Sequence, residues 1–304
     1  MEHPRWSCEG SPEIFDGGSW IGHVWPATIF LLWGLHWLQG LVVQYYRGAQ
    51  RGELYVARSY YQLWIIPEML ESWLKFLLPW FCMLLELYLG HTPPTFKTMT
   101  CPSGTLLAGH LYGGHMGNWQ HAFMYPGFIA SGFADLFSHR VTAVPKGVTH
   151  LFLFVGFFCE ALLFGLHKKH TPMDVMVHAL LTYAISSCAF FSALEAWNPH
   201  SVLMSAGRVA SMLMQSMWFY ASAHVMYEQH AAWDTLRATD LAPVIYLPFL
   251  FAKLALLVVV GVCAAFLLGF FVYRPAGLIR RAAGPAARSS AGGSSARGDE
   301  AWHA

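Results

Sequence analysis

The sequence predicts an all-α, polytopic membrane protein: a seven-transmembrane-helix bundle with its N-terminus outside and its C-terminus cytoplasmic. Three observations predict it. The first is composition: of 304 residues, 56% are hydrophobic and only 12% are charged. That is about half the usual charged share, too little to clothe a soluble fold of this size. The second is segmentation, since seven stretches approach the roughly 20 apolar residues that a bilayer core requires. They are 25–43, 63–89, 119–137, 148–166, 175–197, 202–226 and 245–272. The third is the loop charge. Arg47, Arg51, Arg58, Arg140, Lys146, Arg274, Arg280, Arg281, Arg288 and Arg297 fall on one side, against Arg5, Lys97, Lys168, Lys169 and Arg237 on the other. The richer side is cytoplasmic.

In chain order, residues 1–22 form an extracytoplasmic lead. Glu2, Arg5, Glu9, Glu13 and Asp16 give it a composition unlike a cleavable signal peptide. The seven spans then occupy 23–273. Pro172 suits the start of the fifth helix. The last span is the clearest, with Lys253 the one charge between Leu247 and Val272. Small residues four apart, Gly261, Ala265 and Gly269 in that span and Gly127 and Ser131 in the third, permit close helix approach, inside the bundle or in a homodimer seam. Residues 274–304, rich in Gly, Ala, Ser and Arg, read as a disordered cytoplasmic tail.

The net charge of +1 excludes a nucleic-acid partner drawn by bulk electrostatics, and leaves membrane lipids as the partner. Six cysteines are too few for a disulfide scaffold. Cys82, Cys159, Cys188 and Cys263 lie within spans, whereas Cys8 and Cys101 share the outer side and are either joined or free. The chain has no N-x-S/T acceptor, so no N-glycosylation is expected.

Polar residues at membrane depth are costly and so carry information. They sort into two layers. The inner layer holds Glu68, Glu71, Lys75, Asp135, Glu195 and Arg208; Gln215, also part of the buried polar network, lies higher on the sixth helix with the outer groups. The inner layer reads either as an ion-pair network fixing helix packing or as a place for a shared proton. The outer layer holds His23, His121, His167, Asp174 and His178, with Glu160 seven residues before His167 and Glu86 near the end of the second helix.

Imidazole and carboxylate from several helices at one depth are the ligands of a zinc-like divalent metal, the cofactor this set would take. On that reading Glu160 would serve as general base in hydrolysis of a lipid ester or amide. The same groups also suit a proton relay or plain structural hydrogen bonding. No HExxH motif and no metal-binding CxxC pair occurs. Enzyme and non-enzyme both stay open: a metal or proton site, a proton-coupled carrier, or a scaffold whose buried charges only specify packing.

The most specific blocks are Gly22-His23-Val-Trp-Pro26 with Trp33-Gly34-Leu35, Glu68-Met-Leu-Glu71 with Lys75 and Glu86, and Asn118-Trp119-Gln120-His121 with Met124-Tyr125 and Asp135. Glu160, His167, Asp174, His178, Glu195, Gln215 with Trp218-Phe219, and Trp233-Asp234 follow. This pattern, from about residue 22 to 260, resembles the transmembrane protein 45 family, which includes the transmembrane epididymal protein. The resemblance implies a heptahelical protein of secretory-pathway or plasma membranes and brings no reaction with it. His36, His170 and His224 depart from the family pattern, and Phe251-Ala252-Lys253 stands where the family has a Trp-His pair.

Overall fold

The structure is a computed structural model that describes residues 5–13, 18–62, 67–91, 93–167, 171–228, 230, 232–233 and 241–273. The expected tail at 274–304 lies outside the described residues, as do His170, Lys168 and Lys169. The chain is helical: α1 Trp20–Arg51, α2 Leu70–Leu84, α3 Gly113–Phe123, α4 Pro126–Arg140, α5 Val148–Leu166, α6 Pro172–Trp197, α7 Val202–Tyr227 and α8 Ala242–Tyr273. A π-helical turn, Leu85–Leu89, extends α2. Ser19 starts α1 by accepting from the Gly22 N–H, and Gly52, at φ +72°, ends it. Thr171 caps α6 in the same way, with Pro172 in the first turn, where its missing N–H costs nothing.

Five helices, α1, α2 with its π turn, α5, α6 and α8, are long and apolar enough to cross a membrane by length and composition. α7 is as long as α6 but carries Arg208, Gln215 and a series of buried serines. Three boundaries differ from the sequence reading. The second span, expected from residue 63, begins as a helix only at Leu70, with 63–66 outside the described residues. α1 runs well past residue 43 because a helix continues through its polar exit turns. The expected third span at 119–137 is two helices, broken at Met124 and Tyr125. The cause is Pro126, which has no N–H to donate to residue 122 and crowds the preceding turn.

Each helix packs along the next in the order α2–α4–α5–α6–α7–α1, with α8 outside on α1 and α7. The series does not close, because α1 and α2 make no extended backbone contact. α4 is held by glycine on both sides. A Cβ on Gly127 would stand 2.6 Å from the Gly156 Cα of α5, and one on Gly132 would stand 2.5 Å from the Phe76 N of α2. Gly132→Ala must therefore move backbone, and is expected to cost about 1–3 kcal/mol. Thermal unfolding in detergent reads it as a lowered midpoint; an unchanged midpoint would remove the close approach. Of the last span's small residues, Gly269 packs on Val42 and Tyr46 of α1, while Gly261 faces outward with nothing within 4 Å.

The lead folds against the loop before α3. Strands β1 (Arg5–Trp6) and β2 (Pro12–Glu13) pair antiparallel. Cys8 and Cys101 form a disulfide, and the Leu107 N–H donates to the Cys8 carbonyl. The Tyr112 hydroxyl donates to Glu13 Oε1 at 2.6 Å, and that bond pushes its phenol up to about 12. The disulfide spans 93 residues, a long loop to leave open in the unfolded chain. Replacing both cysteines with serine is expected to cost about 2–4 kcal/mol. After proteolytic nicking between them, the fragments should migrate together without reductant and apart with it; identical mobility would contradict the bond.

Candidate functional site

The imidazoles of the disulfide end converge from separate helices. α1 supplies His23, α3 supplies His121, the C-cap of α5 supplies His167, and the first turns of α6 supply Asp174 and His178. Ring centroids lie 4.9 Å apart for His121 and His167, 6.1 Å for His167 and His178, and 6.2 Å for His178 and His23. Tyr227, at 5.1 Å from His23, closes that side.

Three of the rings are held at Nδ1 by an acceptor, and the fourth, His121, turns its Nδ1 towards one. His23 Nδ1 meets the Ser19 carbonyl at 3.1 Å, and His167 Nδ1 meets Gln120 Oε1 at 2.9 Å. His178 Nδ1 meets the Asp174 carboxylate at 2.7 Å and its carbonyl at 2.9 Å. His121 Nδ1 faces Glu86 Oε2 at 3.5 Å, from the π-helical turn. Acceptors at Nδ1 require that nitrogen to carry the proton, which leaves the lone pair of the neutral ring on Nε2.

This cluster forms one end of a cavity of about 2140 Å³ whose wall runs from Glu86, His121 and Asp174 to His36, Glu71 and Lys75. Glu160 lines it partway. It is 3% exposed, its Oε1 accepts from Gln215 Nε2 at 2.6 Å, and its Oε2 has no hydrogen-bond partner among the described residues. At 1.5 Å per residue it sits about 10 Å down α5 from His167. Gln215 thus belongs with Glu160 and Cys188, whose thiol approaches Gln215 Oε1 at 3.8 Å, rather than with the deeper charges.

The chemistry of the set suits a metal, but its geometry does not yet gather one. Zinc takes donors at about 2.0–2.1 Å, so its ligands crowd one point. Among the described residues no three His, Cys, Asp or Glu side chains do so.

The deeper layer is two centres joined by a loop. Glu71 accepts from the Trp33 and Trp37 indoles at 2.9 and 2.6 Å, from His36 at 3.0 Å and from the Tyr61 N–H at 2.7 Å. Lys75 pairs with Asp135, which also accepts from the Ser59 hydroxyl at 2.7 Å, and Lys75 donates to the Ser59 carbonyl. Arg208 pairs with Glu195, donates to the Arg58 carbonyl at 2.7 Å and lies 4.0 Å over the Trp37 ring. Residues 58–61 therefore stitch both centres together. Glu68 is a correction: its side chain is 62% exposed and pairs with His139 at 3.1 Å, because α2 begins only at Leu70 and leaves Glu68 on the surface turn.

Sequence reasoning missed His36, Trp33, Trp37 and the backbone of 58–61 as partners of Glu71 and Arg208. An indole reads as apolar until its N–H finds an acceptor, and no spacing rule reaches from α1 to a loop. His224 lies outside the cluster, paired with Glu228, whose carboxylate it and the Trp20 indole hold below its ordinary range.

Residues 146–267 match the model of a family of unknown function, DUF716. The matched segment runs from just before α5 into α8 and carries Glu160, His167, Asp174, His178, Glu195, Arg208 and Gln215. His23, His121, Glu71, Lys75 and Asp135 come from before it, so the DUF716 segment supplies two of the four clustered imidazoles and the Glu195–Arg208 pair.

Proposed function

We propose that this protein is a multi-pass membrane protein of the transmembrane protein 45 type whose four-imidazole cluster binds protons at the head of a ligand cavity. The DUF716 match and the blocks around His23, Glu71 and His121 support the family reading. The Nδ1 anchoring carries the functional one: three rings hydrogen-bonded at Nδ1, and His121 with its Nδ1 towards Glu86, bring their Nε2 atoms into one neighbourhood. The carboxylates of Asp174 and Glu86 stand ready to offset the charge that uptake brings.

The disulfide supports the orientation, since such bonds persist on the oxidising side of secretory-pathway or plasma membranes. The lead is then extracytoplasmic and the deeper charges lie towards the cytoplasm, as the loop arginines and lysines also favour.

Proton uptake by the purified protein in nanodiscs tests the reading. On acidification the wild type should take up more protons than a His121→Gln plus His178→Gln variant. Equal uptake would overturn it. Stoichiometric zinc in the wild type that the variant loses would replace the proton by a metal.

A further inference from the structure

The helix series is open at one place, and the cavity lies behind that opening. α1 and α2 face each other across the seam without extended backbone contact, and both contribute wall residues, α1 from Ile21 to His36. Several of these are apolar and turned outward: Ile21, Trp25 and Leu32 on α1, and Leu74 and Phe81 on α2, are between 46% and 66% exposed. In a bilayer this is lipid-facing surface continuous with an internal cavity. The seam is tied at one end, where Trp33, His36 and Trp37 of α1 donate to Glu71 of α2, and is crossed again where the Trp25 indole meets the Cys82 thiol. At about 2140 Å³ the cavity is roughly twice the upper end of ordinary small-molecule pockets, which is space for a hydrocarbon chain as well as a head.

The second observation is Glu160. Its Oε2 is buried, unpartnered among the described residues and on the cavity wall. A buried carboxylate oxygen without a donor is expensive, so it marks where a donor belongs. The cations that line the cavity do not supply one. Lys75 is committed to Asp135, and Lys97 lies in the loop before α3, beyond the disulfide end.

We infer that the cavity takes a lipid-like amphiphile through the α1–α2 seam, its chain lying along Leu32 and Leu74 and its hydrogen-bond-donating head, an amine or hydroxyl, on Glu160 Oε2. This goes beyond the proton reading. It stands on the seam and on Glu160, not on the imidazoles.

The test is photolabelling of the full-length protein in nanodiscs with three long-chain diazirine probes that differ only in the head: primary amine, alcohol and methyl ester. The amine should label most and the alcohol next, with the amine roughly tenfold above the ester, the factor one charge-assisted hydrogen bond supplies. The labelled peptides should come from α1 and α2. Glu160→Gln should bring the amine down towards the ester while ester labelling holds, and Leu32→Trp with Leu74→Trp, which narrows the seam from the lipid side, should reduce all three. Proton uptake by the wild type is measured in the same nanodiscs, so failure of the proton reading and of this one are told apart. Equal labelling by the three heads in wild type, or label confined to the outward face of α8, would overturn the inference.

Discussion

Arg208→Met is expected to remove most of the protein's stability, on the order of 3–5 kcal/mol. The guanidinium is fully buried and serves three partners: Glu195, itself fully buried, the Arg58 carbonyl, and the face of Trp37. Methionine fills much of the volume but leaves Glu195 charged, dry and unpaired. The loss therefore measures an abandoned carboxylate more than a missing attraction. Arg208→Met combined with Glu195→Met should recover a large part of it, because removing both charges ends the desolvation cost that their pairing only offsets. The measurement is the fraction of monodisperse protein surviving a temperature series in detergent. A double variant no better than Arg208→Met alone would show that the pair is not the source of the loss.

The second large effect is at Glu71. This acceptor gathers two indole N–H groups, an imidazole and a backbone N–H, and it ties α1 to α2 where the two helices otherwise stand apart. Glu71→Leu should cost about 3–5 kcal/mol, since it strands those donors and leaves the neighbouring Lys75 with one carboxylate in place of two. Glu71→Gln separates shape from chemistry. The amide keeps the size, but either way round its NH₂ meets an obligate donor, the two indoles on one side or the Tyr61 N–H on the other, so it should approach Leu in severity. Near-wild-type stability of Glu71→Gln would contradict the donor count, and with it the tie at that end of the seam.

How much of this was legible in the sequence follows from range. Local patterns, the apolar runs of α5, α6 and α8 and the capping residues Ser19 and Thr171, state their helices directly. The i, i+4 spacing of Asp174 and His178 likewise gives the contact that forms. Pro126 was also in plain view, but an apolar window averages over it and returns one span where the backbone needs two helices. The histidines could be grouped by depth because helix length converts position into height. Which rings touch depends on helix order, and that order is set by packing such as Gly127 on Gly156, which no periodicity encodes. His36 was set aside as peculiar to this chain, yet it faces Glu71 across the seam. The loop at 58–61 offers backbone atoms, and a sequence says nothing of where a carbonyl will point.

The central claim is that His23, His167 and His178 are held at Nδ1, with His121 beside them, and that the cluster keeps Nε2 free to take a proton. Nitrogen-15 spectra of the histidine-labelled protein in nanodiscs, assigned by single substitutions, test it most directly, because protonated and unprotonated ring nitrogens resonate apart. At alkaline pH the rings of His23, His167 and His178 should show protonated Nδ1 and unprotonated Nε2, and on acidification Nε2 signals of the cluster should move to the protonated position. Rings that carry their proton on Nε2 at the higher pH, or cluster signals that do not move on acidification, would contradict it.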